Sequence, residues 1–189
     1  MDATVNKNYM MGFIPFAMAA VLVSLAGGFT ASIPNNIVSA WGLDSSWVTW
    51  ITLSMSMGMA ACAPVLGKLG DIFGRRGAAL VGMALMAIGE LAIGLAPDGA
   101  IWMVLVASFV VGIGAAAISP TVIAYITSEF PPVKMGNGFA VYMALSSGMV
   151  IFGPTVGGII FQATQNWRLI LHICAALAAL CFVICLFTL

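Results

Sequence analysis

Two ionisable side chains of this 189-residue chain, Glu90 and His172, fall inside long apolar runs. A charge at the centre of a hydrocarbon layer costs ~2.5–3.5 kcal/mol on insertion scales, so such a residue has a partner or a task. The chemistry open to an acid and an imidazole is proton transfer, which makes the two a candidate proton site. Glu90 lies 12 residues beyond Ala78, where its run begins, or roughly 18 Å at ~1.5 Å per residue. His172 enters its own run from the opposite side, to a comparable depth. One reading makes them a pair that takes up and releases a proton. The other keeps Glu90 neutral and hydrogen-bonded to a backbone carbonyl, with His172 at the membrane interface. A denser charged group, Lys68, Asp71, Arg75 and Arg76, is set among Gly67, Leu69, Gly70 and Gly74. The four cysteines all fall in apolar runs, and Cys174, Cys181 and Cys185 share a helical stripe. They read as soft packing residues. With one histidine, no metal-ligand spacing and no acid pair within a helical turn, neither a metal, a cofactor nor enzymatic activity is expected.

These residues must be positioned by membrane helices. The chain is 62% hydrophobic and 6% charged with zero net charge, and its mean hydropathy is +1.14. A soluble domain of this size could not hide so much apolar surface. Zero net charge and six basic residues argue against a nucleic-acid partner. Six apolar runs predict spans at about 12–33, 47–66, 78–95, 101–126, 138–161 and 169–188, each near the ~20 residues that cross a bilayer. The first is too long for a signal-peptide core of ~7–15 residues. Their length and lack of alternation predict helices, not barrel strands. Six spans put both termini on one side. With that side cytoplasmic, Lys7, Lys68, Arg75, Arg76 and Lys134 lie inside and only Arg168 outside, as the positive-inside rule requires. Trp41, Trp47, Trp50, Trp102 and Trp167 then form an outer aromatic belt. The expected protein is integral to a bacterial inner membrane, with lipid around it.

The run Gly67-Lys68-Leu69-Gly70-Asp71-Ile72-Phe73-Gly74-Arg75-Arg76, with Leu80 behind it, resembles the signature loop between helices 2 and 3 of the major facilitator superfamily. Gly153, Pro154, Gly157 and Gly158 in the fifth run resemble the helix 5 motif of its drug–proton exchangers. Asn166-Trp167-Arg168 and Ser45-Ser46-Trp47-Val48 resemble other marks of drug-exporter members. The resemblance implies an all-α fold of six transmembrane helices in two inverted three-helix repeats, the N-terminal half of a fold that normally has twelve or fourteen helices. It implies secondary transport of a small, largely apolar organic solute by alternating access. Partner calls follow: a second copy forming a homodimer, or a separate half-transporter chain. A fragment of a longer transporter and a non-transporting membrane scaffold are the alternatives. Two departures stand out. The arginine that proton-linked members carry early in helix 4 is Ser108 here, and the first run has no ionisable residue. Candidate cavity residues are Ser24 and Ala31 in the first run, Ser54 in the second, Ser108 in the fourth, and Tyr142 and Ser146 in the fifth. The resemblance places Asp71 against the Gly136-Asn137-Gly138 start of helix 5 in the other half, and gives Arg75 or Arg76 Glu129 as charge partner.

Overall fold

The computed structural model describes residues 33–188, together with Phe13, Ala17, Met18, Ala20, Val21, Ser24, Leu25, Gly27 and Gly28, all nine helical. The side chains of Leu69, Asp71, Phe73, Arg75 and Thr188 lie outside that description. The expected first span, Ala31 included, falls mostly outside it too. Six helices follow in order: α1 Ile33–Ala40, α2 Ser46–Phe73, α3 Arg75–Gly94, α4 Ile101–Glu129, α5 Pro132–Thr164 and α6 Trp167–Thr188. Five of them, α2 to α6, are long and apolar enough to cross a membrane.

α4 is the axis of the bundle. Val104, Val111, Ile118, Val122 and Ile126 form one stripe at helical spacing, each at most 2% exposed. Lipid is as apolar as leucine, so hydrophobicity alone cannot drive this packing; close backbone approach must. Glycines supply it on two sides. A Cβ on Gly112 would collide with the Met55 carbonyl of α2, and one on Gly58 with the Phe109 carbonyl of α4. On the α3 side, a Cβ on Gly114 would stand 2.6 Å from the Gly82 carbonyl oxygen, and one on Gly82 would stand 2.8 Å from that of Gly114. α6 then packs on the far face of α3. α5 is the outlier, with few contacts to α4 and α6.

The helices overrun the expected spans. α2 continues through Lys68 and Asp71 to Phe73, so the charged segment is the last turns of α2 with a single-residue break, not a loop. Gly74, at φ 94°, makes that break in a region that favours glycine. Polar residues past the hydrocarbon do not end a helix; only a residue that leaves the helical backbone region does. α5 likewise starts at Pro132, where a missing N–H costs nothing, and ends at Gln165 in the left-handed region, φ 52°. Gly136-Asn137-Gly138, expected to open the fifth helix, therefore lies one turn inside it.

Candidate functional site

At the end of the bundle where α2 meets α3, Gly70 lies close to both α3 and α4. A Cβ there would stand 3.2 Å from that of Ala78 and 3.8 Å from the Thr121 hydroxyl. Gly67 and Gly70 face Ser119, Pro120, Thr121 and Ala124 across a cavity of about 380 Å³. Pro120 lacks the N–H that would bond the carbonyl four residues back, and the Thr121 hydroxyl donates to the Ala117 carbonyl at 2.6 Å. Of the two expected partners of Glu129, the Arg75 side chain lies outside the described residues and Arg76 bonds α6. Its Nη2 donates to the Leu186 carbonyl of α6 at 2.7 Å, where the last carbonyls of a helix have no partner within it. Glu129 receives the Ser128 hydroxyl at 3.5 Å. The backbone of Asp71 belongs to the last turn of α2.

The opposite end carries a polar clasp. Asp98, in the turn between α3 and α4, accepts Arg168 Nη2 at 2.7 Å and the Trp41 indole N–H at 2.9 Å on the same oxygen. Arg168 Nη2 also reaches the Ala96 carbonyl at 3.0 Å, and its guanidinium lies 5.2 Å from the Trp167 ring centroid. Trp167 meets Trp41 edge-on at 6.1 Å, and Trp47 meets Trp102 likewise. One acid thus ties together the end of α1, the α3–α4 turn and the start of α6. Sequence reasoning passed over Asp98 as a turn residue. The available signal was that Arg168 is the one basic residue expected on its side, with Asp44 and Asp98 as the acids expected nearby. Asp44 is committed elsewhere: it accepts the Ser46 backbone N–H at 2.8 Å, opening α2. The Ser46 side-chain and backbone bonds hold its carboxyl below the usual 3.8. What it contributes to stability is therefore present above that value and lost as pH falls through the lowered one.

The described candidate cavity residues have different surroundings. Ser54 donates to the Leu105 carbonyl of α4 at 2.7 Å and ties two helices together. Ser24 donates to the Ala20 carbonyl of its own helix at 2.9 Å. Tyr142 is buried on α5, and the Ser146 hydroxyl, one turn on, is buried without a hydrogen-bond partner among the described residues. Ser108 alone lines a partly open cavity of about 280 Å³. The Gly153-Pro154 motif has a structural counterpart. A Cβ on Gly28 would stand 2.8 Å from the Gly153 Cα and 3.3 Å from the Pro154 ring, so the motif is where α5 crosses the first span. Gly157 is buried beside it, while Gly158 has open space at its Cβ position.

Glu90 is wholly buried, and neither carboxyl oxygen has a hydrogen-bond partner among the described residues. Neither expected partner, the His172 ring or a backbone carbonyl, engages it. His172 sits one turn along, over Gly94: a Cβ on Gly94 would stand 2.8 Å from its Cε1 and 3.1 Å from its Nδ1. The glycine makes room for the ring. A buried polar group without a partner costs about 1–3 kcal/mol. Glu90→Met, close in shape and apolar, is therefore expected to melt at a higher temperature than the parent in detergent. A lower melting temperature would show that the carboxyl is satisfied in the native protein.

Five apolar spans, gathered about a glycine-lined α4 that is one of them, with polar residues at the two ends, define an integral membrane bundle. The sequence model of the Major Facilitator Superfamily matches residues 11–189, and the chain belongs to that family. It is 28% identical over 176 residues to the multidrug resistance protein Stp of Mycobacterium tuberculosis, an alignment covering 93% of this chain and 32% of that protein. Identity to the puromycin resistance protein pur8 of Streptomyces alboniger is also 28%, over 92% of this chain and 34% of that one. Among solved structures it resembles a POT peptide transporter in complex with sulfate, at a TM-score of 0.78 and 18% identity, covering 94% of this chain and 37% of that chain. It also resembles a bacterial homologue of the lysosomal transporter Spinster in an inward-facing, unoccupied conformation, at a TM-score of 0.77 and 16% identity, covering 100% and 44% of the two chains. The chain spans about a third of the length of these curated relatives.

Proposed function

We propose that the chain is one six-span half of a secondary transporter for a small, largely apolar organic solute, built as two inverted three-helix repeats and completed by a second six-helix half. The observation that carries the pairing is the uneven burial of its helices. Of the most apolar stretch of α4, 61% of residues are buried; of those of α2 and α5, 11% each. Two long helices thus present nearly whole faces outward. Lipid would satisfy such faces, but so would the matching helices of another half. Relatives named for multidrug and puromycin resistance support an organic solute. The lack of basic residues within the spans argues against a phosphate or dicarboxylate. A second copy is the favoured partner, because the halves of this family relate as parallel repeats. Alternating access then follows from rocking one half against the other.

Native mass measurement in a mild detergent tests the pairing. Two chains per complex are expected; a strictly monomeric chain would sink the homodimer. The proposed orientation, both termini inside a bacterial inner membrane, rests on the basic residues. A cysteine at position 98 should label with an impermeant thiol reagent on whole cells, and one at position 68 only after permeation.

A further inference from the structure

A partly open cavity of about 280 Å³ is bounded by side chains from five helices, with Gly27 of the first span beside them. Ile37 comes from α1, Thr52 from α2, Ile93 from α3, Ser108 from α4 and Leu171 from α6. Among the described residues, none of α5 and none that is charged lines it. Helix interiors are close-packed and leave few voids larger than a water. A dry apolar cavity of only ~150 Å³ already binds benzene. The polar clasp lies next to this lining in the chain. Trp41 stands one turn beyond Ile37, Ala96 one turn beyond Ile93, and Arg168 one turn before Leu171, so each strand of the clasp roots in a cavity wall. Two hydroxyls supply the polarity. The Thr52 hydroxyl donates to the Val48 carbonyl at 2.9 Å, which leaves its oxygen free to accept, and Ser108 is the second.

We propose that this cavity is a binding site, complete within a single chain, for a small, uncharged, largely apolar ring compound that donates one hydrogen bond. A cation or anion would be desolvated there with no counter-charge in the lining. Residues of α3 and α6 wall it beside those of α1, α2 and α4, and no described residue of α5 does.

The probe is 1-naphthol, with naphthalene as its hydroxyl-free analogue. Binding is measured to the purified chain in its native assembly, against empty micelles of the same detergent. One naphthol per chain is expected. Gly27→Leu is the filling variant: a Cβ on Gly27 meets nothing within 4 Å, so the added side chain has room to enter. It should lose binding about tenfold or more, through lost volume, without melting below the parent. Ser108→Ala should weaken 1-naphthol by about fivefold, the scale of one neutral hydrogen bond, and leave naphthalene unchanged. Equal binding by the parent and both variants overturns the proposal. So does equally tight binding of a naphthalene carrying a trimethylammonium group, which would refute the uncharged class. Binding is read at equilibrium without a gradient, so it can fail while the transport reading stands, and the reverse.

Discussion

Asp71→Asn is expected to abolish or strongly slow transport while leaving the folded chain intact. Asp71 belongs to the last turn of α2, where the carbonyl end of a helix carries partial negative charge. A carboxylate there works against its own helix by about 0.3–1 kcal/mol. The position makes sense if the acid serves another helix. The family resemblance points to the N-terminus of helix 5 in the second half. In this chain that N-terminus is Pro131-Pro132-Val133, because the Lys134 and Met135 N–H groups already bond the Pro131 carbonyl at 2.8 and 3.1 Å. The target is thus the exposed N–H region at Val133, one turn before the Gly136-Asn137-Gly138 segment that the sequence suggested. A carboxylate at a partly buried helix N-terminus gains up to ~2 kcal/mol, and asparagine forfeits the charge-dependent part. Under the proposed alternating access this contact would break when that side opens, so its loss should shift the population toward the inward-open state. Cysteines at positions 71 and 133 should cross-link between two chains. α2 and α5 make no packing contact within one chain among the described residues. A cross-link found only within monomers, or in no state at all, would sink the self-paired arrangement. Normal transport by Asp71→Asn would remove Asp71 from the mechanism.

Gly114→Leu should prevent the bundle from folding. Its Cβ would stand 2.6 Å from the Gly82 carbonyl oxygen and 2.8 Å from the Met86 backbone nitrogen. Both belong to the α3 backbone, which cannot rotate away as a side chain can. Ordinary overpacking costs ~1–3 kcal/mol. Here two helices must separate, and the whole stability of a domain is only ~5–15 kcal/mol. Moving α3 would also displace Gly70's neighbour Ala78 and the Gly94 cradle under His172. Gly77→Leu is the matched control, since a Cβ there meets nothing within 4 Å. Size-exclusion profiles and melting curves in detergent should show a stable Gly77→Leu protein and an aggregated or poorly recovered Gly114→Leu protein. A Gly114→Leu variant that melts with the parent would refute the close α3–α4 crossing.

Much of the architecture was legible in the chain because membrane helices announce themselves locally. A run of about 20 apolar residues needs no tertiary partner to be recognised. The spacing of Gly67 to Leu80 and of Gly153 to Gly158 was enough to suggest the family that the comparison then showed. Element ends were less legible. α2 runs on past the apolar stretch to Gly74, since the backbone conformation of one glycine, not hydropathy, ends it.

Side-chain partners were decided by tertiary structure alone. Ser54 looked like a cavity hydroxyl and is a tie to the Leu105 carbonyl. Arg76 was one of two expected partners of Glu129 and bonds the Leu186 carbonyl of α6. Asp98 looked like a turn residue and joins Trp41 to Arg168 across three elements. Glu90 and His172 share a depth that the sequence could count, yet they face different neighbours. The physical reason is common to all of these. Hydropathy and residue spacing fix which residues are helical and how deep they lie. Rotation of each helix about its axis is set by the glycine contacts at Gly58, Gly82, Gly112 and Gly114, where backbones from distant parts of the chain touch. That rotation chooses which side chains meet and where an unfilled cavity is left.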